Sequence, residues 1–491
     1  MSAFLIIITI LLPIIGGALI PLFKFQKGTD REKYVALVVL LNSILVFLML
    51  FNRPQEALTI VNLTSTISIS FAVDGLSVVF AGLLAGLWPL ASCFAFEYMK
   101  HEGEENKFFT YYTMTYGVAL GVAFSANLIT MYLCYEILTL ITLPIIMHAM
   151  DKKAMSAGRK YLIYSIGGAA FAFMSVMVLY SVTGTTDFTY GGLLGATNIA
   201  GKESWLLIAF IVAFLGFGVK AAVFPLHGWL PTAGVAPTPV TALLHAVAVV
   251  KAGVFAIIRI TYYSFGTDFL KDTWAQYTAM TLAIVTILFG STMAVREQHL
   301  KRRLAYSTVS NLSYILFGVM LMTPAGLAAG LSHMIFHGIM KISLFFCAGA
   351  IIYKTHREYV YELKGFGKVM PVTMGCFLIG SLALVGVPGL CGFISKWNLA
   401  NAAVETGNTL AFIGVLALML SAILTAIYLF TIVIHAYFPG EGFDAAGLQG
   451  VEEANLYIKV PLIILCVAML ILGCFSGPLM TLFNSVSTGL I

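Results

Sequence analysis

The sequence predicts an all-α polytopic membrane protein of about fourteen transmembrane helices. Three observations carry that prediction. Only 10% of the 491 residues are charged and 60% are hydrophobic, whereas soluble domains are roughly 25% charged. Apolar runs of about 20 residues, the length that crosses a hydrocarbon core of about 30 Å, recur along the whole chain. Lysine and arginine are dense in alternate loops, as expected where those loops face the cytoplasm.

Read between charged or turn-rich breaks, the apolar segments lie near 3–23, 34–51, 72–96, 108–125, 127–149, 161–183 and 205–230. They continue near 239–263, 274–295, 304–323, 326–353, 371–400, 408–436 and 457–483. The first, within "MSAFLIIITILLPIIGGALIPLF", lacks the basic start and small-residue cleavage site of a secretory signal and is expected to be a retained span. No soluble domain interrupts the series. Seven cysteines (Cys93, Cys134, Cys347, Cys376, Cys391, Cys466, Cys474) show no C-x-x-C pair, which argues for buried thiols and against iron–sulfur or zinc ligation. There is no G-x-G-x-x-G opening a βα unit and no P-loop, so neither dinucleotide binding nor ATP hydrolysis is expected, and nothing points to a nucleic-acid partner.

The odd-numbered loops hold Lys24, Lys27, Arg31 and Lys33, then Lys100 and Lys107, then Lys152, Lys153, Arg159 and Lys160. Arg296, Lys301, Arg302 and Arg303 follow, and then Lys354, Arg357, Lys364 and Lys368. The even-numbered loops hold only Arg53, Lys202 and Lys271. The odd loops are therefore expected in the cytoplasm and, with an even number of spans, both termini outside, in a multi-pass protein of the cell membrane.

Six basic residues remain inside predicted spans. Arg259 and Lys459 lie near span ends, where a long side chain can snorkel to the headgroups. Lys220, Lys251, Lys341 and Lys396 lie deep, where each would cost several kcal/mol against lipid. Four such lysines call for a polar interior path. Glu136, mid-span in "LITMYLCYEILTLITLPIIM", needs a cationic partner, and Lys220 is the candidate. His333, His337 and Lys341 are spaced four apart, so they share one helix face. Histidine exchanges protons near neutral pH, and burial disfavours the charged form of a lysine, so such a stripe suits a proton conduit. His245 and Lys251 lie six apart, on different faces, and are read as links between separate parts of the path. No cysteine or carboxylate completes a metal set around these histidines.

Two of the spans are interrupted. Lys220 precedes Pro225, with His227 just beyond; Gly386, Pro388, Gly389 and Gly392 precede Lys396. Proline kinks a helix, and freed carbonyls at membrane depth are tolerated only inside protein or along a cavity. Two interrupted spans five apart, each with a lysine, imply a repeat. An odd offset requires opposed orientation, with spans 4–8 and 9–13 as the units. The expected division is 1–107 for helices 1–3, 108–263 and 274–436 for the repeats, and 457–491 for helix 14.

These residues bring a resemblance with them. "GVKAAVFPLHGWLPTAGVAPTPVTALLHAVAVVKAGVF" (218–255) resembles the signature region of the antiporter-like subunits of respiratory complex I, of Mrp-type Na⁺/H⁺ antiporters and of membrane-bound hydrogenases. "YEILTL" (135–140), "LSHMIFHGIMKISLFFCAGAI" (331–351), "GVPGLCGFISKW" (386–397) and, more weakly, "VDGLS" (73–77) extend it over nearly the whole chain. The resemblance implies fourteen helices with two inverted five-helix repeats, each with a broken helix, and no cofactor in this chain. It implies a Glu136–Lys220 pair and a polar axis through Lys251, His333, His337 and Lys341 to Lys396, with lysine where some members carry glutamate. On this resemblance the chain is expected to be of the shorter kind, without the long lateral helix of the longest complex I member. "YEILTLITLPIIMHAM" and "LLHAVAVVKAG" are closer to the hydrogenase and Mrp types.

The expected function is proton translocation, or cation/proton exchange, by one subunit of a multisubunit redox-driven pump. Any redox chemistry of the translocase belongs to partner subunits, and the moving ions are protons and possibly Na⁺. A stand-alone Mrp-type Na⁺/H⁺ antiporter subunit is the first alternative, and a non-conducting scaffold the second. A carrier for an organic solute is a weaker third, since no wide polar cavity is legible beyond the titratable axis.

Overall fold

The computed structural model describes residues 3–23, 25, 27–440 and 448–490. Lys24, and residues 1–2 and 491 of the expected division, lie outside them. Helices α1 (Phe4–Phe23) and α2 (Gly28–Phe51) lead into a hairpin of β1 (Leu58–Asn62) and β2 (Ser68–Phe71). Helices α3 (Gly75–Tyr98), α4 (Glu105–Phe124), α5 (Leu128–Ile146), α6 (Lys152–Thr183) and α7 (Glu203–Gly218) follow. A single turn, α8 (Trp229–Thr232), precedes α9 (Thr238–Ala246) and α10 (Val249–Ile258). The last runs on through a π-helical stretch, Arg259–Phe265, to the turn α11 (Thr267–Leu270). Then come α12 (Trp274–Arg296), α13 (Leu300–Met320), α14 (Pro324–Thr355), the turn α15 (Phe366–Val369), α16 (Pro371–Val385) and α17 (Cys391–Glu405). Helices α18 (Thr409–Tyr437), α19 (Leu456–Cys474) and α20 (Gly477–Ser487) complete the order.

Among the described residues, ten helical segments are long and apolar enough to cross a membrane. The four predicted segments not among them contain α4, α7, α13 and the α16–α17 pair. The chain is a multi-pass membrane protein. Three predicted spans are less regular than the sequence implies. The segment 205–230 stops being helical at Gly218, 239–263 is interrupted at Val247–Ala248, and 457–483 is two helices. The hairpin is a further element that helical periodicity does not reveal. It pairs Leu58 with Phe71 and Asn62 with Ser68, with an irregularity between Thr59 and Val61.

Burial sorts the helices. The most apolar windows of α1, α6, α18 and α19 are 33–39% buried, whereas that of α14 is 94% buried and that of α9–α10 is wholly buried. A span that faces lipid keeps an exposed apolar stripe; one that is buried all round forms the core. Helix α14 is the central column, packed against α3, α9, α13, α16, α17, α19 and α20. Its start is fixed by the Thr323 side chain, which accepts from the Gly326 N–H, and by Pro324 in the first turn, where no amide donor is needed. At 32 residues it is about 48 Å long, more than the hydrocarbon thickness. This length carries His333, His337 and Lys341 through the middle of the protein.

Candidate functional site

The first interruption begins ahead of Pro225. Helix α7 ends at Gly218, and residues 219–228 form successive turns that include Ala222 in the left-handed region at φ 56°. Lys220 stands inside the break. The Val223 N–H reaches back to the Gly218 carbonyl (2.9 Å), the Trp229 indole donates to the Val219 carbonyl (2.7 Å), and the Phe224 N–H donates to Thr286 Oγ1 (3.0 Å). These bonds satisfy backbone groups that an α-helix would have paired. Helix α10 approaches the break closely at Gly253, where a Cβ would lie 2.5 Å from the Ala221 nitrogen.

Lys220 is fully buried. Its Nζ donates to the Tyr135 carbonyl and sits 3.3 Å from the centroid of the Tyr135 ring, while the Tyr135 hydroxyl donates to the Phe217 carbonyl (3.2 Å). Among the described residues, Glu136 makes no ion pair with Lys220 within 4.0 Å, and its Oε1 is buried without a hydrogen-bond partner. The structure thus brings Lys220 to the residue beside Glu136, not onto the carboxylate.

The middle of the site is made by α10 and α14. Lys251 and His337, both fully buried, share a hydrogen bond, Nζ to Nδ1 at 2.9 Å. His333 lies one turn away with ring centroids 5.9 Å apart at 24°, as the spacing of four predicts. His333 bonds Ser395 Oγ through Nδ1 (2.9 Å) and Asn311 Oδ1 through Nε2 (3.3 Å), and its ring stacks on Tyr314 at 5.2 Å. Lys341 donates to Ser307 Oγ (2.6 Å), which also accepts from the Tyr428 hydroxyl (2.8 Å).

His245 is fully buried with its ring 4.9 Å from that of Phe345, and neither ring nitrogen has a partner among the described residues. It and Lys251 therefore both face α14, from helices separated by the Val247–Ala248 interruption. His337 Nε2 is likewise buried and unpartnered.

The second interruption follows its Gly/Pro signal. Helix α16 stops at Val385, Gly386 adopts φ 99°, and residues 386–390, including Pro388, separate it from α17. Lys396 reaches back from α17 to donate to the Leu384 and Val385 carbonyls (2.7 and 3.0 Å), which α16 leaves free at its end. Its Nζ also lies 5.3 Å from the Tyr314 ring centroid. Tyr314 therefore touches both His333 and Lys396.

Sequence reasoning misses Tyr314, Asn311, Ser307, Ser395 and Tyr428, which are ordinary polar residues on apolar helices. It also misplaces several basic residues, Arg259, Lys301 and Arg303 among them. Arg259 does not snorkel: it is buried, binds Asp74 at the start of α3 through both terminal nitrogens (Nη2 to Oδ1, 2.8 Å), and is flanked by the rings of Phe188, Phe255 and Tyr263. A carboxylate within reach makes burial cheaper than extension to the headgroups. Lys301 and Arg303, read as loop residues, are buried on α13; they donate to the carbonyls of Ala236 (3.0 Å) and of Tyr428 (2.9 Å). Among the described residues, no group of three or more His, Cys, Asp or Glu is placed to hold a metal ion.

The chain as a whole is similar to known proteins. Residues 125–425 match the family described as NADH:quinone oxidoreductase/Mrp antiporter, TM, and residues 61–109 match NADH-Ubiquinone oxidoreductase (complex I), chain 5 N-terminus. NADH-quinone oxidoreductase subunit N of Desulforudis audaxviator is 31% identical over 421 residues, covering 82% of each chain. A Na(+)/H(+) antiporter subunit of Alkalihalophilus pseudofirmus is 32% identical over 83% of this chain, which spans about half, 53%, of that longer relative. The fold is similar to that of a chain in the structure of the membrane-bound sulfane sulfur reductase, an archaeal respiratory membrane complex (TM-score 0.87, 23% identity, 99% and 97% of the two chains). The chain belongs to the NADH:quinone oxidoreductase/Mrp antiporter family of membrane proteins, as an antiporter-like subunit.

Proposed function

We propose that the chain moves protons across the cell membrane as one subunit of a multisubunit, redox-driven complex. Protons enter from the cytoplasm and load the Glu136/Lys220 region. They pass through Lys251, His337 and His333 with Lys341 and His245 as side stations, and leave from Lys396. The observation that carries this reading is the direct Lys251–His337 hydrogen bond between two fully buried titratable groups on different helices. A proton-sharing contact at that depth has no purpose in a lipid-facing scaffold. Gaps at His245 and Glu136 are of the kind that internal water fills, since buried polar atoms otherwise lose the bonds they made in solvent. The lever is electrostatic: one charge moved against 100 mV requires about 2.3 kcal/mol, so a change in pairing at one lysine must be felt by the next.

In this reading the chain has fourteen spans with both termini outside. Residues 108–263 and 274–436 form two inverted repeats, 1–107 hold the first three helices and 457–491 the last. Its partners are other membrane subunits. Redox chemistry lies in them, and the relatives named as oxidoreductase subunits support that placement. The relative named as part of a Na(+)/H(+) antiporter supports a second reading, exchange of Na⁺ for protons without an electron donor. Inverted vesicles containing the native complex separate the two. Acidification that follows an electron donor and ignores Na⁺ supports the redox-driven pump; acidification or alkalinisation set only by a Na⁺ gradient supports the antiporter.

A further inference from the structure

A cleft of about 570 Å³ opens between α2, α3, α14, α19 and α20, away from the lysine row. Eighteen of its nineteen lining residues are apolar or glycine, Phe47, Val79, Ile339, Leu465 and Phe483 among them, so its body offers no partner to a polar ligand. The exception is Arg53, just beyond the last residue of α2, which forms no hydrogen bond or ion pair within the described chain. Along α3 the lining runs from Val78 to Leu90, about 18 Å at the rise of a helix. Gly82 and Gly86 lie four apart on its floor, where a Cβ would come within 3.7 Å of Leu50 and 3.9 Å of Phe47. The missing side chains deepen the cleft there.

The walls are already in packing contact, α3 with each of α2, α14, α19 and α20. A partner helix, about 10–12 Å across, does not enter between them, whereas a single hydrocarbon chain does. The cleft has the form of one acyl chain with a cation at one end.

We propose that this cleft binds one anionic phospholipid, an acyl chain lying along α3 over Gly82 and Gly86 and the phosphate on Arg53. A guanidinium pairs with phosphate oxygens at two points, which gives the headgroup a charge preference that apolar contact alone does not. The proposal stands apart from the ion-translocation reading.

The test is native mass spectrometry of the intact purified complex, exchanged into nanodiscs of phosphatidylglycerol or of phosphatidylcholine and released in mild detergent. One retained lipid per copy of this chain is expected, with phosphatidylglycerol favoured on the order of tenfold. Arg53→Gln, at a partly exposed position, is expected to abolish the preference while a lipid is still retained. Gly86→Leu, which fills the floor, is expected to remove the lipid of either class from complexes that still assemble by size exclusion. No retained lipid in the wild-type complex, a preference unchanged by Arg53→Gln, or a photo-crosslinker at Val79 captured by a protein subunit would each overturn it; the first two do not depend on the Gly86 variant folding.

Discussion

Lys251 Nζ and His337 Nδ1 lie 2.9 Å apart with neither residue exposed, and this contact joins α10 to the central helix α14. If it is a transfer step, the two side chains act as one unit. Lys251→Met and His337→Phe are each expected to lower proton translocation on the order of tenfold or more, and the double variant to fall no further. Initial rates of vesicle acidification measure all four proteins. Independent, multiplying effects would place the two residues on separate routes.

Lys396 serves two purposes that substitutions can divide. Its ammonium supplies donors to the Leu384 and Val385 carbonyls, and it is the proposed exit for the proton. Lys396→Arg keeps donors at the end of α16 but stays charged at all working pH values. Translocation is expected to stop while the complex remains as stable as wild type. Lys396→Met is expected to stop it and also to lower stability by about 1–3 kcal/mol, because buried carbonyls lose their donor. Thermal unfolding of the purified complex alongside acidification rates checks both.

The Asp74–Arg259 pair is a structural prediction. Arg259 is 1% exposed and the Asp74 side chain 35%, so a variant lacking only the carboxylate strands a buried cation. Asp74→Asn is expected to destabilise by about 2–3 kcal/mol, toward the lower end for a buried pair because Asp74 is partly solvated. Asp74→Asn with Arg259→Met is expected to recover part of that loss. A double-mutant cycle on unfolding midpoints reads the coupling.

Outside the spans, His299 just ahead of α13 places Nε2 3.2 Å from Glu358 in the segment after α14, and the hydrogen bond from the imidazole holds the Glu358 carboxyl below its ordinary value. A depressed carboxyl contributes stability above its unfolded pKa and loses it as pH falls through the folded one. Wild type and His299→Gln are therefore expected to differ at neutral pH and to converge in acid. Unfolding midpoints measured from pH 7 to pH 3 test this; a difference that persists unchanged at the acid end contradicts it.

Much of this arrangement is legible in the sequence because burial of charge in hydrocarbon is so costly. Lys220, Lys251, Lys341 and Lys396 stand out in apolar runs whatever their partners, and His333 and His337 share a stripe by helical spacing alone. The Gly386–Gly389 interruption is legible because glycine and proline are its cause. The break at Val247–Ala248 has neither residue, so only tertiary packing against α14 reveals it. Pro225 correctly signals the other break but not its start, which lies at Gly218. Partners such as Asn311, Ser307 and Tyr428 carry no local signal, since one polar residue on a buried helix is equally at home bonding its own backbone. Asp74 and Arg259 meet across 185 positions, a distance no periodicity spans.

The most direct measurement is proton translocation by the assembled complex in inverted vesicles, wild type against Lys220→Ala. Translocation is expected to be lost while the complex retains its subunits and its electron-transfer activity when uncoupled. Translocation at the wild-type rate in the Lys220→Ala complex would contradict the assignment of the buried lysine row as the proton path.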